Sequence, residues 1–186
     1  LNGAAPAGGA LVTLTSDNPI VSGIEGMYSS ADLPQGGSVD WASLGPDYSS
    51  IPSGTVTPVT GLSSVNMTLS TATGLPMQTF SNCDFGGDCG WYGNFALGAR
   101  LLWMGGTYDS PTGWWAPNGP LTVRFNSPQR GIGFQAMGDE FGAFTATLCA
   151  YNAADTLLGC VPFSGNGNGT ADGSAVFMGL YDDAQE

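Results

Sequence analysis

The 186 residues contain no histidine, and the only cations are Arg100, Arg124 and Arg130, against fifteen Asp and Glu. A nucleophilic triad needs an imidazole or amine base, and a Schiff base needs a lysine, so these routes to catalysis are closed. Typical catalytic zinc sites use at least one histidine, and nucleic-acid binding uses clustered Lys and Arg. The composition therefore predicts a protein that is not an enzyme and binds no nucleic acid, and it favours a structural or binding role.

Long apolar runs are also missing. No stretch approaches the roughly 18 apolar residues that would span a bilayer. No basic segment followed by an apolar one stands at the start, so an exported chain would already have lost its signal peptide. The formal net charge of −12 keeps copies apart at low salt, and added salt or divalent cations favour association. We therefore expect no membrane span.

The four cysteines form two close pairs in the sequence, Cys83 with Cys89 and Cys149 with Cys160. A four-residue turn at 153–156 would set Cys149 directly opposite Cys160, at a separation that a disulfide can bridge. Neither pair has the CxxC spacing of a zinc site, so a four-cysteine metal site and free buried thiols are the less favoured alternatives. Two disulfides indicate an extracellular or cell-surface location, after removal of a signal peptide.

Thirty glycines and twelve prolines, spread among short runs of Val, Thr, Leu and Phe, indicate many strands joined by turns. Leu121, Val123 and Phe125 alternate with polar residues, as expected of a strand with one buried face. The sequence predicts an all-β fold, an antiparallel two-sheet sandwich of jelly-roll type with an N-terminal extended arm. The predicted strands are 10–15, 55–60, 65–70, 76–80, 100–104, 120–126, 131–137, 143–151, 156–163 and 174–180.

Residues 1–35 differ in composition from residues 36–186. The first ten are small and uncharged, one strand follows, and the remainder offers few side chains to a core. This segment is either the first strand of the sandwich or an arm whose strand pairs with another molecule. We predict an arm at 1–35 and a jelly-roll-like sandwich at 36–186. The candidate donor strand consists of Leu11, Val12, Thr13, Leu14 and Thr15.

Five segments that follow one another along the chain carry a family resemblance. They are DWASLGP at 40–46, WYGNFALGARLLWMGG at 91–106, GPLTVRFNSPQRGIGFQ at 119–135, FGAFTATLCAYNAADTLLG at 141–159 and DGSAVFMGL at 172–180. In this order they resemble the extracellular domain of exported bacterial proteins of the PEP-CTERM type, which carry a C-terminal sorting tail. The resemblance implies an extracellular, jelly-roll-like sandwich associated with cell surfaces, exopolysaccharide or matrix. It implies no active site.

That family also continues past the position of Ala184 into the sorting tail and one more apolar strand. A sandwich without its closing strand exposes unpaired backbone groups and a strip of core. The gap could be filled by the chain's own arm, by a neighbour's arm or by residues that follow Glu186. We expect the neighbour's arm, which makes a heterologous contact and polymerises copies into a filament or surface layer. The expected acceptor groove consists of Val176, Phe177, Met178 and Leu180.

Acidic residues lie on two predicted turns. Asp84 and Asp88 flank two glycines between the first cysteine pair, and Asp139 adjoins Glu140 at a strand end. Carboxylates on tight turns can hold a structural Ca²⁺, although these spacings do not match the EF-hand loop and solvated acidic turns are the alternative. No other cofactor is predicted. Paired-carboxylate catalysis by Asp139, Glu140 and Asp172 has no supporting spacing.

Two pairs of residues are candidates for contact with sugars or for attachment of sugars. Trp114 and Trp115 could stack on glycan rings, which gives the alternative function of a monomeric carbohydrate-binding module, or they could cap the core or meet a partner. Asn66 in NMT and Asn168 in NGT match the N-glycosylation triplet. We expect both asparagines to be exposed, Asn66 on the outward face of a strand and Asn168 in a loop.

Overall fold

The structure, a computed structural model, describes residues 11–15, 24–27, 29–32, 36–109, 114–139 and 141–182. These residues form fifteen β-strands and two short 3₁₀ helices, at Ser30–Asp32 and Trp41–Leu44. The fold is therefore all-β, as predicted. No helix within these ranges is long and apolar enough to cross a membrane.

All ten strands predicted from the sequence are present. Alternation of apolar and polar residues, interrupted by Gly and Pro, was sufficient to find them. Five further short strands were not predicted. The strands are β1 (Leu11–Thr15), β2 (Ile24–Met27), β3 (Ser50–Ile51), β4 (Thr55–Pro58), β5 (Asn66–Thr71), β6 (Met77–Cys83), β7 (Trp91–Tyr92), β8 (Arg100–Trp103), β9 (Gly106–Asp109), β10 (Trp114–Pro117), β11 (Leu121–Phe125), β12 (Gly131–Ala136), β13 (Gly142–Tyr151), β14 (Leu157–Gly167) and β15 (Val176–Asp182).

Most of these strands belong to three sheets. The largest is six-stranded, with the order β14-β13-β1-β11-β5-β4, and a three-stranded sheet has the order β12-β15-β2. In the third sheet, β6 pairs with β3 and β7 and also with β8. The pair β9–β10 is a hairpin that forms a two-stranded sheet by itself. Every pairing between the described strands is antiparallel except that of β6 with β7.

The core is one apolar cluster that draws on all three sheets. Leu69 of β5, Leu148 of β13 and Met178 of β15 each have an exposed fraction of 0%. Val123 of β11 is buried together with the two residues that alternate with it, as the sequence predicted. Burying a side chain of this size stabilises a fold by roughly 1.5 to 3 kcal/mol, so these strands hold the sheets together.

The hairpin of β13 and β14 carries a cysteine pair in the predicted register but has a different turn. Tyr151 pairs with Leu157, which leaves a loop of five residues instead of four. Asn152 stabilises this loop, because its side-chain oxygen accepts two backbone N–H groups at 2.9 and 3.0 Å. A register shift next to Tyr151 absorbs the extra residue, so Cys149 still lies opposite Cys160.

The segment before residue 36 contributes two strands to these sheets. β1 joins the six-stranded sheet, and β2 pairs with the last strand, β15. The second contribution was not predicted, because the sequence IEGM shows no alternation of apolar and polar residues.

Candidate functional site

The candidate donor strand, β1, lies between β11 and β13 of the same chain. Leu11 is the register partner of Arg124 on one side and of Tyr151 on the other, and Val12 lies opposite Val123 on the first side. Among the described strands, only β1 connects β11 to β13. Without β1, the six-stranded sheet would separate into two parts with an open slot between them.

This slot requires a particular pattern of side chains in the strand that fills it. Val12 and Leu14 are the register partners of Val123 and Leu148, whose exposed fractions are 5% and 0%. Cross-strand partners share one face of a sheet, so these two positions of β1 lie on the face that carries the core. A shift by one residue would place Thr13 there instead, which makes the register strongly specified.

The structure corrects the predicted acceptor groove, because β15 is the middle strand of its sheet and not an edge. β12 borders it along Val176 to Tyr181, and β2 borders Gly179 to Asp182 on the other side. Met178 and Leu180 are buried, with exposed fractions of 0% and 2%, whereas Val176 and Phe177 are half-buried. The sequence identified an apolar strand but could not show that the unpredicted β2 lies beside it.

A large cleft runs along the edges of two other strands. It has a volume of about 1210 Å³ and is lined by every residue of Arg100–Trp103 in β8 and of Gly131–Ala136 in β12. Successive side chains of a strand point to opposite faces, so a cavity that touches every residue in a row follows the edge of the strand. Among the described strands, β8 pairs only with β6, and β12 pairs only with β15.

The floor of this cleft is apolar and two of its lining residues are cationic. Val123 and Phe125 of β11 line it from the core side, with exposed fractions of 5% each. Arg100 and Arg130, two of the three cations of the chain, also line it. Arg100 forms an ion pair with Asp47, whereas Arg130 forms no ion pair with any described residue. This cleft was not predicted from the sequence, because its walls come from strands far apart along the chain.

Both predicted cysteine pairs lie at disulfide-bonding distance. The Cα–Cα distance is 6.2 Å between Cys83 and Cys89 and 4.0 Å between Cys149 and Cys160. No free cysteine is present among the described residues. The first disulfide closes a loop that docks against another loop, since the backbone N–H of Phe85 donates to the carbonyl oxygen of Gly169 at 2.7 Å.

The candidate calcium ligands do not gather into one site. No three His, Cys, Asp or Glu side chains of the described residues are placed to hold a metal ion together. The carboxylate of Asp84 accepts a hydrogen bond from the backbone of Ala171 at 2.7 Å, and Asp88 is exposed. Asp139 lines the cleft described above, and Glu140 lies outside the described residues. The structural Ca²⁺ stays a prediction.

Asp172, the third carboxylate considered for catalysis, lies on an exposed turn and does not line the cleft between β8 and β12. Hydrogen bonds from the side chain and the backbone of Ser174 lower the pKa of Asp172 below its usual value. A general acid near neutral pH needs a raised pKa, so the shift is in the wrong direction for that role. Its carboxylate accepts the backbone N–H of Ser174 at 2.9 Å and thereby stabilises the turn before β15.

The residues proposed to contact glycans are described in their backbone only. Trp114 and Trp115 begin β10 and pair with Asp109 and Tyr108 of β9, so both belong to the separate hairpin. Their side chains lie outside the described part of the structure, and the glycan contact stays a prediction. Three other tryptophans, Trp41, Trp91 and Trp103, line the cleft.

Both candidate glycosylation sites are less exposed than expected. Asn66 is half-buried in β5, which lies between β4 and β11. Asn168 is also half-buried, because its loop packs against Asn94, whose side-chain oxygen accepts the backbone N–H of Asn168. Its own side-chain oxygen accepts the N–H of Thr170 at 2.7 Å. Glycosylation at either residue stays a prediction.

Comparison of the chain with known protein families, with curated proteins and with solved structures found no match in any of the three. The functional interpretation therefore depends on the geometry of the slot and the cleft.

Proposed function

We propose that this protein is a structural subunit of an extracellular bacterial filament or surface layer, in which β1 of one copy fills the slot between β11 and β13 of the next copy. The observation that carries the proposal is the position of β1 in the middle of the six-stranded sheet. A strand in that position is required to complete the sheet, whichever chain supplies it. The acceptor groove is thus the slot beside β11 and β13.

Exchange of β1 between copies costs few contacts. A neighbour's β1 in the same register would pair Leu11 with Arg124 and with Tyr151, as the chain's own β1 does. The two arrangements therefore differ mainly in chain connectivity, which is the usual basis of strand and domain swapping. Protein concentration and the reach of the connecting segment then decide between them. Because the donor strand and the slot are different parts of the chain, we propose that each copy gives its β1 to the next copy, which is a heterologous contact that propagates.

The other features of the chain fit an exported structural subunit. Two disulfides suit an oxidising compartment outside the cytosol. Only 10% of the residues are charged, compared with about 25% in typical globular domains. Together with the antiparallel sheets, these features support the jelly-roll arrangement and the cell-surface association that we propose for the domain.

A cysteine cross-link tests in which chain β1 is seated. The variant Leu11→Cys/Arg124→Cys places cysteines at two register partners, on the side of β11 that carries a half-exposed arginine. After assembly and oxidation, electrophoresis under denaturing, non-reducing conditions separates the products. Exchange between copies yields a ladder of covalent oligomers, because each bond joins two chains. A β1 that stays in its own chain yields only monomers, and that result would overturn the proposal.

A matched control keeps the first cysteine and moves the second. In Leu11→Cys/Thr68→Cys, the second cysteine lies on β5, where Thr68 is the register partner of Arg124 on the side away from β1. Two strand spacings amount to about 10 Å, beyond the roughly 7 Å that a disulfide tolerates. This variant should form no ladder. A ladder of equal strength would show that the cross-links arise from random collision.

A further inference from the structure

The hairpin of β9 and β10 is the one described sheet that contains no strand from another part of the fold. β9 pairs only with β10, from Gly106 opposite Pro117 to Asp109 opposite Trp114. An isolated two-stranded hairpin is marginally stable in water and needs a surface to pack against. Its outer edges are available for a further strand pairing, as far as the described residues show.

The base of the hairpin is firmly attached at one end of the cleft between β8 and β12. The backbone N–H of Asn118 donates to the carbonyl oxygen of Gly105 at 3.1 Å, and Gly105 and Gly119 both line the cleft. A side chain at Gly105 would meet the carbonyl oxygen of Pro76 at 2.7 Å, so the backbone is tightly packed at this point. Although its base lies there, the hairpin pairs with neither wall of its own cleft.

We propose that the cleft between β8 and β12 receives the β9–β10 hairpin of a second copy of this chain. Within the described ranges, both partners of this contact present strand edges that no other strand borders. An extended backbone can satisfy the row of peptide groups on such an edge. β9 and β10 are four residues long, as is β8. The lengths of the two edges therefore match.

Composition and charge also match between the hairpin and the cleft. The hairpin sequence brings Tyr108, Trp114 and Trp115 to a cleft whose floor is apolar. Large aromatic residues are the most frequent anchors in protein–protein interfaces. The hairpin carries the carboxylate of Asp109 and no cation, whereas Arg130 lines the cleft without an ion-pair partner among the described residues. Arg100 is already paired with Asp47, and Asp139 also lines the cleft, so the charge match is the local one between Arg130 and the carboxylate of the hairpin.

This contact deepens the proposed filament, because its occupant is another subunit, but it does not require exchange of β1. The hairpin and the cleft are different surfaces of the chain, so the contact is heterologous and can join subunits independently of β1. It therefore rests on the proposed function only for its role in assembly. Binding of the hairpin can fail while β1 exchange succeeds, and the reverse is also true.

A chain without its hairpin tests the proposal. Replacing residues 106–117 by Asn-Gly joins Gly105 to Asn118 through a tight turn, which their existing hydrogen bond favours. The probe is a backbone-cyclised, dye-labelled peptide of residues 105–118, and its fluorescence anisotropy is measured against the shortened protein. We expect saturable binding, and at least tenfold weaker binding of the Trp114→Ser/Trp115→Ser peptide. Absence of binding overturns the proposal. The cleft would then be a site for a glycan or for another strand.

Two variants of the shortened protein locate the binding. Ile132→Lys places a charge on β12, whose residues line the cleft, and should weaken peptide binding at least tenfold. Val56→Lys places the same charge on β4, an edge strand of the six-stranded sheet that does not line the cleft. It should leave binding unchanged. Near-ultraviolet circular dichroism confirms that each variant is folded. Equal weakening by both variants would overturn the assignment to this cleft.

Discussion

The side chain of Asn94 accepts a hydrogen bond from the backbone N–H of Asn168 at 2.7 Å, although 74 residues separate the two along the chain. Asn94 also donates to the hydroxyl of Ser174 at 2.9 Å and to the carbonyl oxygen of Asn166 at 3.2 Å. With an exposed fraction of 3%, it is a buried polar residue whose bonds tie the segment after β7 to the connection between β14 and β15.

Replacing Asn94 should destabilise the fold clearly. Asn94→Ala removes the three hydrogen bonds that this buried side chain makes, and each contributes about 0.5 to 1.5 kcal/mol. We expect the free energy of unfolding in urea to fall by roughly 2 to 4 kcal/mol. Asn94→Asp keeps the acceptor for Asn168 but loses both donated bonds, so its loss should be intermediate. A loss below about 0.5 kcal/mol for Asn94→Ala would contradict the importance of these bonds.

Two leucines of β1 should respond very differently to the same substitution. Leu14→Asp places a carboxylate opposite Leu148, which is fully buried, and burying an unpaired charge is costly. Leu11→Asp places it opposite Arg124, a cation. Negative-stain electron microscopy should show no filaments for Leu14→Asp and normal filaments for Leu11→Asp. Loss of filaments in both variants would mean that β1 is not seated in this register.

The two disulfides should differ in their response to a reductant. Cys149 and Cys160 have exposed fractions of 0%, whereas Cys83 and Cys89 are half-buried. Mild reduction followed by alkylation and mass spectrometry should therefore modify the Cys83–Cys89 pair first. Loss of the buried disulfide in Cys149→Ala/Cys160→Ala should lower stability by about 3 kcal/mol, because a short loop is no longer closed in the unfolded chain. Simultaneous modification of both pairs would contradict the burial difference.

Gly165 and Phe144 should show strong energetic coupling. They are register partners in β13 and β14, and a Cβ at Gly165 would come within 2.4 Å of the Phe144 ring. Gly165→Ala should therefore cost about 1 to 3 kcal/mol through overpacking. In the Phe144→Ala background the same substitution should cost much less, since the ring is gone. A double-mutant cycle of urea unfolding measures this difference, and additive effects would contradict the contact.

Assembly should depend on ionic strength. The formal charge of −12 makes copies repel one another, and the repulsion is screened within about 10 Å at 0.1 M salt. Light scattering should show faster polymerisation at 0.3 M than at 0.02 M NaCl. Comparing CaCl₂ with NaCl at equal ionic strength separates specific calcium binding from screening. Slower assembly at high salt would show that ion pairs, and not apolar contacts, dominate the interface.

The sequence predicted those features that depend on local patterns. Alternation placed Leu121, Val123 and Phe125 on the buried face of one strand, and the spacing of Cys149 and Cys160 matched a hairpin register. A strand predicted near the N-terminus is present as β1. These features follow from periodicity and from turn length, which are properties of short stretches of chain.

The features that the sequence did not reveal depend on which distant segments meet. The position of β15 between β12 and β2, the slot beside β11 and the cleft along β8 all result from pairings between remote parts of the chain. The burial of Asn82 and Asn94 was not predicted either, because a single asparagine in the sequence resembles a loop residue until its distant hydrogen-bond partners are known. The candidate functional surfaces are therefore mostly features of topology.

The central position of β1 has a mechanical consequence for any fibre that is joined through it. Inter-strand hydrogen bonds run perpendicular to the strands, and β1 is bordered on both sides. Tension along this strand loads both rows of bonds in shear and at the same time, so they must rupture together instead of peeling open one after another. A short segment in this position can transmit considerable axial force from one subunit to the next.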